Sequence, residues 1–363
     1  MYNKALDVLK IFINHGYDAY IVGGYPRDRL LGIKTNDIDI CTNAKPKEIM
    51  EIFDTTGVSD IKYGAVRVIY KGILFDVTTF RKDIKYENNR KPVKIKYVAD
   101  LRKDLLRRDF TINTMCIDVN GNLIDLLGAQ RDLARKIIVT VGNPRYRLKE
   151  DSLRILRAIR FASYLDFDID VKTKNYIKKY GYLLKPLSNS RKKEELDKIF
   201  ATKNKEKGID LIIQLGLDKY LGLDNLNEIV LCNDILGIWS QLKLSINYPF
   251  SKAEKENIDK IREMLNYEID NFMIYKYGLY IASVVASIKG VSYQKINRIY
   301  RNLPIYSKKD IKINGDEIAQ ILNKEPGSYI KKIMEDLEKM ILTGKINNEP
   351  DELKDYILVN YGG

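Results

Sequence analysis

The rhythm of apolar and polar positions changes near residue 145. Before that point the sequence offers short strand-like runs, AYIVGG, DIDICT, AVRVIYKG, ILFDVTTF and TMCIDVNG, behind a first segment, MYNKALDVLKIFINHG, with apolar residues at helical spacing. This pattern predicts an α+β unit with a leading helix. Turn residues at 119–122 and the Gly72 break before Ile73 read as hairpin connections, so much of the sheet is expected to be antiparallel. From Arg147 onward apolar residues recur every three or four positions, as in LRILRAIRFASYL and ELDKIF, and strand signals almost vanish. Breaks near Pro186 and at 203–208, 248–251 and 304–307 divide this helical remainder. Its longest apolar stretch, Gly278 to Ile288, falls well short of the roughly 20 residues needed to cross a bilayer and predicts a buried helix, with no membrane partner.

Composition narrows the chemistry. The 363 residues are enough for two to four compact units, and 62 Lys and Arg against 49 Asp and Glu give a net charge of +13, a field that attracts polyanions. A solvated basic surface would read the same way, so a motif must decide. The single histidine, His15, removes Ser-His-Asp triads and multi-histidine metal sites, and is expected at a helix end on the surface. Three scattered cysteines suggest neither a disulfide framework nor a zinc cluster and fit a reducing, cytoplasmic setting. The N-terminus lacks the uninterrupted apolar centre of a signal peptide. Residues 81–109 hold eleven Lys or Arg against five Asp or Glu, with Tyr86, Asn88, Asn89 and Tyr97 interspersed, and read as a mobile basic loop.

The sharpest local signal is GGYPRDRLLGIKTNDIDICT, residues 23–42. A strand ending in Gly23 and Gly24 lets backbone N–H groups approach a phosphate, and the planar fork of Arg27, beside Asp28, suits phosphate oxygens. Asp37 and Asp39 are two apart in a strand-like run, so both carboxylates are expected on one face, where they can share hard divalent cations while Ile38 faces the core. Asp76, in the later run ILFDVTTF, supplies a third carboxylate if its strand lies alongside; three carboxylates suit two Mg²⁺ ions. Asp109 and Asn113 can hydrogen-bond ribose hydroxyls, with Arg107 and Arg108 neutralising phosphate. Asp151 and Arg154 are one turn apart on an expected helix and can present an acceptor and a donor to one ligand edge, a polarity that matches cytosine and adenine. Arg157 and Arg160 extend the same helix, where they would reach phosphate or brace the neck, and of the two Arg157 is taken as a site residue.

These residues carry a family resemblance. The segment 23–42 resembles motif A of class II tRNA nucleotidyltransferases and bacterial poly(A) polymerases, within the polymerase-β-like superfamily. In order after it, LRRDFTIN (106–113) resembles the ribose-selecting motif B, IDLLGAQRDL (124–133) motif C, RLKEDSLRILRAIRFA (147–162) motif D and SNSRKKEELDKIF (188–200) the weaker motif E. Residues 313–353 resemble the tRNA-binding tail of CCA-adding enzymes. Three departures bear on local geometry: Pro26 in place of a usual valine, Ala129 in place of the second glycine of motif C, and Ser190 in place of a common glutamate.

The resemblance implies a small mixed or antiparallel-sheet nucleotidyltransferase head (1–145), then a helical neck with base recognition (146–205), body (206–305) and tRNA-binding tail (306–363). It implies a Mg²⁺-dependent enzyme that uses CTP and ATP to extend tRNA, with Asp37, Asp39 and Asp76 as catalytic metal ligands. Gly23, Gly24, Arg27, Asp28, Arg108, Asp109, Asn113, Asp151, Arg154 and Arg157 would bind nucleotide. A-adding and CC-adding tRNA enzymes, a poly(A) polymerase and an inactive RNA-binding protein are the alternatives. The segment from Lys82 to Tyr97 is full length beside the family's flexible loop, which argues against CC-only addition, and the tail argues against poly(A) polymerase. Oligomeric state is not legible.

Overall fold

The computed structural model describes residues 1–56, 63–87 and 91–362. The head begins with α1 (Tyr2–Asn14), β1 (Ala19–Val22), α2 (Gly24–Leu30), β2 (Asp39–Thr42), α3 (Pro46–Ile52), β3 (Ala65–Tyr70) and β4 (Ile73–Thr79). It continues with β5 (Arg81–Glu87), β6 (Lys91–Tyr97), α4 (Leu101–Leu106), β7 (Cys116–Ile117), β8 (Leu123–Ile124), α5 (Ala129–Ala134) and β9 (Ile137–Ile138). A helical series follows: α6 (Pro144–Glu150), α7 (Leu153–Leu165), α8 (Val171–Tyr180), α9 (Asn189–Phe200), α10 (Lys205–Gln214) and α11 (Asp218–Leu221), broken only by the short β10 (Asp168–Ile169). The expected α+β head and helical remainder are both present.

Six strands form one sheet in the order β3-β4-β2-β1-β7-β8. Its pairings are antiparallel except β2 with β4, which run parallel with Asp39 opposite Asp76. The β3–β4 turn uses positive φ at both Lys71 and Gly72, the geometry that matches strand twist in a two-residue hairpin. Strand alternation then sorts the side chains: Ile40 and Val77 join Ala5, Leu9 and Phe12 of α1 in one buried cluster, while Cys41 joins Phe80, Leu105 and Cys116 on the opposite face. Asp39 shares the face of Cys41, so the packing of Ile40 aims the carboxylate away from α1.

The basic stretch differs from the expected loop. Residues 81–87 and 91–97 pair as an antiparallel two-stranded ribbon of β5 and β6, closed at one end by Arg81 opposite Tyr97. Its β-branched and aromatic positions, Ile84, Tyr86, Val93, Ile95 and Tyr97, favour strand over loop, and net charge concealed that pattern. Asn88 and Asn89 lie outside the described residues. The three departures are accommodated. Pro26 occupies the first turn of α2, where an N–H would lack a helical partner. Gly128 takes the left-handed position before α5 (φ 76°), leaving Ala129 in ordinary helical backbone, and Ser190 is in the first turn of α9.

Contacts divide the molecule into two units, residues 1–227 with 243–249, and residues 228–242 with 250–363. The expected head and neck fall together in the first unit, and the stretch expected as body is shared between the two. The second unit comprises α12 (Ile235–Gln241), α13 (Lys252–Leu265), α14 (Asn271–Ile288), α15 (Tyr293–Arg301), α16 (Gly315–Ile321), α17 (Tyr329–Leu342) and α18 (Pro350–Tyr361) around its own apolar core. The apolar stretch expected as a buried helix is the second half of α14, after a kink at Gly278 (φ 80°). No helix among the described residues is long and apolar enough to cross a membrane.

Candidate active site

A cavity of about 620 Å³ in the first unit is lined by residues of α2, the approach to β2, the segment after α4, and α7. Among them are Gly23, Gly24, Arg27, Asp28, Asp37, Asp39, Arg108, Asp109, Asn113, Asp151, Arg154 and Arg157. Every expected site residue except Asp76 therefore meets at one place.

The glycine turn is required by shape. Gly23 has φ 85°, and a Cβ there would stand 3.3 Å from Oδ2 of Asp39, so any side chain would be strained and would crowd the carboxylate. Asp37 precedes the strand and is exposed, whereas Asp39 opens β2 and is half-buried. Burial pushes the Asp39 carboxyl up to about 6, helped by the negative charges of Asp37 and Asp76 and opposed by Arg108. Crowded carboxylates of this kind fit a divalent cation, which would relieve the repulsion and offer hard-oxygen coordination. Asp76 faces the same side in register with Asp39, but its carboxylate accepts from Nε of Arg67 at 2.8 Å and from Nη2 at 3.3 Å. Among the described residues no group of three or more possible metal ligands is drawn together. The expected three-carboxylate set is therefore not assembled: Asp37 lies just before β2 rather than in it, and Asp76 is turned to Arg67.

Behind the carboxylates lies a chain of buried polar contacts. Arg27 donates from Nε to Asp28 at 2.8 Å and from Nη1 to Oδ1 of Asn113 at 2.5 Å. Asn113 Nδ2 donates to Oδ1 of Asp109 at 3.1 Å, and Oδ2 of Asp109 accepts from Nε of Arg157 at 2.7 Å. Burial by itself would raise the Asp109 carboxyl, but Arg157, Asn113 and the Phe110 N–H outweigh it and hold the group well below the usual carboxylate range. Motif C supports this layer: the Asp125 carboxylate accepts the N–H groups of Leu127, Ala129 and Gln130 at the start of α5, and Asp132 accepts from the Thr111 hydroxyl at 2.8 Å.

The base-reading pair is arranged differently from the expectation of one helical turn. The backbone breaks between α6 and α7 at Asp151, which is extended, and only Arg154 lies within a helix. Asp151 Oδ1 accepts the Leu153 N–H at 3.1 Å, which fixes the carboxylate at the head of α7. Burial raises the Asp151 carboxyl, with Arg154 acting against the rise. Arg154 donates to the carbonyls of Arg147 and Arg107, at 3.0 Å each, so backbone from motifs D and B sets its direction.

Thr35, Arg81, Arg160 and Phe161, which sequence reasoning did not select, also line the cavity, together with Arg107. Asp104, fully buried, receives Arg107 at 2.8 Å and Arg108 at 3.2 Å, and its i,i+3 and i,i+4 spacing to them was a legible signal. Arg81 carried no such signal; its N–H reaches Asp104 at 3.1 Å only through the fold.

A mixed sheet that sets paired carboxylates beside a glycine turn, with a cationic pocket behind them, defines a nucleotidyltransferase. Residues 19–139 match the poly A polymerase head domain, 166–225 the probable RNA and SrmB-binding site of polymerase A, and 240–357 a putative tRNA nucleotidyltransferase domain 2. A CCA-adding enzyme from Anoxybacillus flavithermus is 33% identical over 390 residues, covering 97% of that protein and 99% of this chain. One from Ligilactobacillus salivarius is 34% identical over 388 residues, covering 95% of that protein and 97% of this chain. The crystal structure of the Bacillus stearothermophilus CCA-adding enzyme in complex with CTP matches with a TM-score of 0.86 at 28% identity, covering 97% of that protein and 99% of this chain. The chain belongs to the CCA-adding enzyme family, tRNA nucleotidyltransferases that depend on a divalent metal.

Proposed function

We propose that this protein adds C, C and A to the 3′ end of tRNA, transferring CMP and AMP from CTP and ATP and releasing pyrophosphate. The observation that carries the reading is a single cavity lined both by Asp37 and Asp39 and by Asp151 and Arg154. Chemistry and base choice then act on one bound nucleotide.

In this reading Asp37 and Asp39 hold Mg²⁺, with Asp76 joining them once it leaves Arg67. The bound ion supplies Lewis-acid stabilisation of the triphosphate and lowers the pKa of the RNA 3′-hydroxyl. Arg27 and Arg108, with the Gly23–Gly24 backbone, receive phosphate oxygens; Asp28 fixes the Arg27 fork. Asp109 and Asn113 orient the ribose while Arg157 keeps Asp109 ionised. Asp151 accepts from the exocyclic amino group of cytosine or adenine, and Arg154 donates to the adjacent ring nitrogen. Uracil and guanine present the reverse polarity. The tail, residues 306–363, grips tRNA, and the setting is cytoplasmic.

Transfer to tRNAs ending at the discriminator base, at C and at CC, with CTP and ATP supplied singly and together, tests the proposal. CMP should enter at the first two ends and AMP only at the third. ATP use confined to CC ends with no CTP use would reveal an A-adding enzyme, and repeated AMP addition would reveal a poly(A) polymerase.

A further inference from the structure

Phe161 lies on α7 and is 7% exposed, yet its ring forms part of the cavity wall. Three guanidinium carbons surround that ring: Arg160 at 4.6 Å from the centroid, Arg27 at 5.2 Å and Arg157 at 5.4 Å. Two of the cations belong to α7 itself, just before Phe161 in the chain, and the third comes from α2. Phe110 packs against the ring in a T-shaped pair with centroids 5.8 Å apart, which fixes the plane of Phe161.

Each guanidinium also has a buried carboxylate at its edge. Arg27 donates to Asp28, Arg157 to Asp109, and Arg160 to Glu195 at 3.1 Å. Carboxylates engage donors in the guanidinium plane and leave the flat face of the cation without a partner. An aromatic ring carries negative charge on its face, so one ring can stabilise cations where their acids do not reach. The crowding makes this matter: burial lowers the Arg160 pKa and the charge of Arg157 lowers it further, with Arg27 in the same sense and Glu195 and Asp109 against them.

Arg27 is the member of this group beside the glycine turn, where a Cβ on Gly24 would stand 3.4 Å from its Nη2. Asp28 and Asn113 fix its fork within the guanidinium plane. Phe161 at 5.2 Å and Tyr164 at 5.9 Å fix the tilt of that plane. A guanidinium has more N–H donors than these contacts use, so Arg27 held in this way keeps donors for phosphate oxygens.

We propose that Phe161 is a positioning residue for the incoming nucleoside triphosphate: its ring holds the Arg27 guanidinium, against the like charges of Arg157 and Arg160, at the tilt that meets phosphate oxygens. The inference rests on the nucleotide-binding reading above and deepens it by giving the triphosphate site a residue with no charge or hydrogen bond of its own. Phe161 acts through the arginines, so it serves phosphate and not base. CTP and ATP should depend on it equally.

Calorimetric binding of CTP and of ATP to the full-length protein tests this, with Phe161 replaced by phenylalanine analogues bearing one, two and three ring fluorines. Fluorine withdraws negative charge from the ring face and leaves the shape of the ring nearly unchanged, so packing is held constant while the attraction for cations weakens. Affinity should fall stepwise along the series, reaching a loss of about tenfold at the third fluorine, by the same factor for both nucleotides. Phe161→Tyr, which keeps a ring, should bind both nucleotides more tightly than Phe161→Leu, which fills much of the same space without one. Equal affinity across the fluorine series would overturn the proposal and leave Phe161 as apolar packing against Phe110. A loss for one nucleotide and not the other would overturn it too, by placing the ring at the base. Transfer to tRNA by the wild-type protein reads the functional assignment separately, so nucleotide binding without transfer would count against that assignment and not against this ring.

Discussion

Arg157 of α7 reaches Asp109 with its Nε at 2.7 Å, and this contact helps tie the neck helix to the turn proposed to face the nucleotide ribose. Asp109 is buried, so its charge depends on that partner. Arg157→Ala should destabilise the fold by roughly 1–3 kcal/mol, because a buried carboxylate would lose its strongest donor. The sign with pH is defined. Asp109 has a depressed folded pKa, so its stabilisation is complete above the unfolded value near about 4 and is lost as pH falls through the folded value. Acid unfolding of Arg157→Ala should therefore begin at higher pH than in the wild type. Coincident acid-unfolding curves would remove Asp109 from this role.

Asp39 gives the opposite sign. Its carboxyl is pushed up to about 6 by burial and by Asp37, so without a divalent ion the folded state takes up a proton that the unfolded state releases. Stability of the metal-free protein should fall as pH rises from about 4 to about 6, and divalent-ion affinity should weaken as pH falls below about 6, where protons compete. Metal titration by calorimetry at two pH values measures this; affinity independent of pH across that window would place the ion elsewhere.

The Asp76 carboxylate is held by Arg67 in an ion pair whose side chains are 50% and 44% exposed, a contact worth little to stability. Arg67→Ala should leave thermal unfolding within about 1 kcal/mol of wild type and free Asp76. Asp76→Ala should reduce transfer with both CTP and ATP. Wild-type turnover by Asp76→Ala would confine the metal site to Asp37 and Asp39.

Because Arg154 is spent on two backbone carbonyls as well as facing the cavity, Arg154→Ala should lose both stability and base choice, whereas Asp151→Ala should lose mainly base choice. Discrimination against UTP and GTP should relax by roughly ten- to a hundredfold, equivalent to about 1–3 kcal/mol. Ratios of transfer efficiency among the four nucleotides report it. An equal slowing of all four in both variants would make the pair a support for the neck.

How much of this was legible in the sequence follows from the range of each interaction. Strand alternation around Ile38 and Ile40 and the three-to-four spacing of α7 are local, so the head, the helices and the place of Asp39 on its strand could be read directly, whereas Asp37, expected in the same run, lies before β2. Asp39 opposite Asp76 needed two strands to be neighbours, a condition the sequence left open and the parallel pairing of β2 with β4 meets. The break at Asp151 was hidden because the residues around it, Leu148 to Leu156, keep helical spacing across two helices. The partners of Arg154, backbone carbonyls 7 and 47 positions away, leave no side-chain signal at all. The β5–β6 ribbon was obscured by its charge. Arg81 enters the site solely through long-range packing.

Whether Asp37 and Asp39 carry nucleotidyl transfer onto tRNA is decided by measuring transfer and tRNA binding together in Asp37→Ala and Asp39→Ala. Removing a metal ligand strikes the chemistry, while docking depends on phosphate contacts elsewhere. Both variants should lose CMP and AMP transfer by several orders of magnitude and retain tRNA affinity within a few-fold of wild type. Near-normal turnover by either variant, at wild-type tRNA affinity, would show that these carboxylates do not hold the catalytic metal.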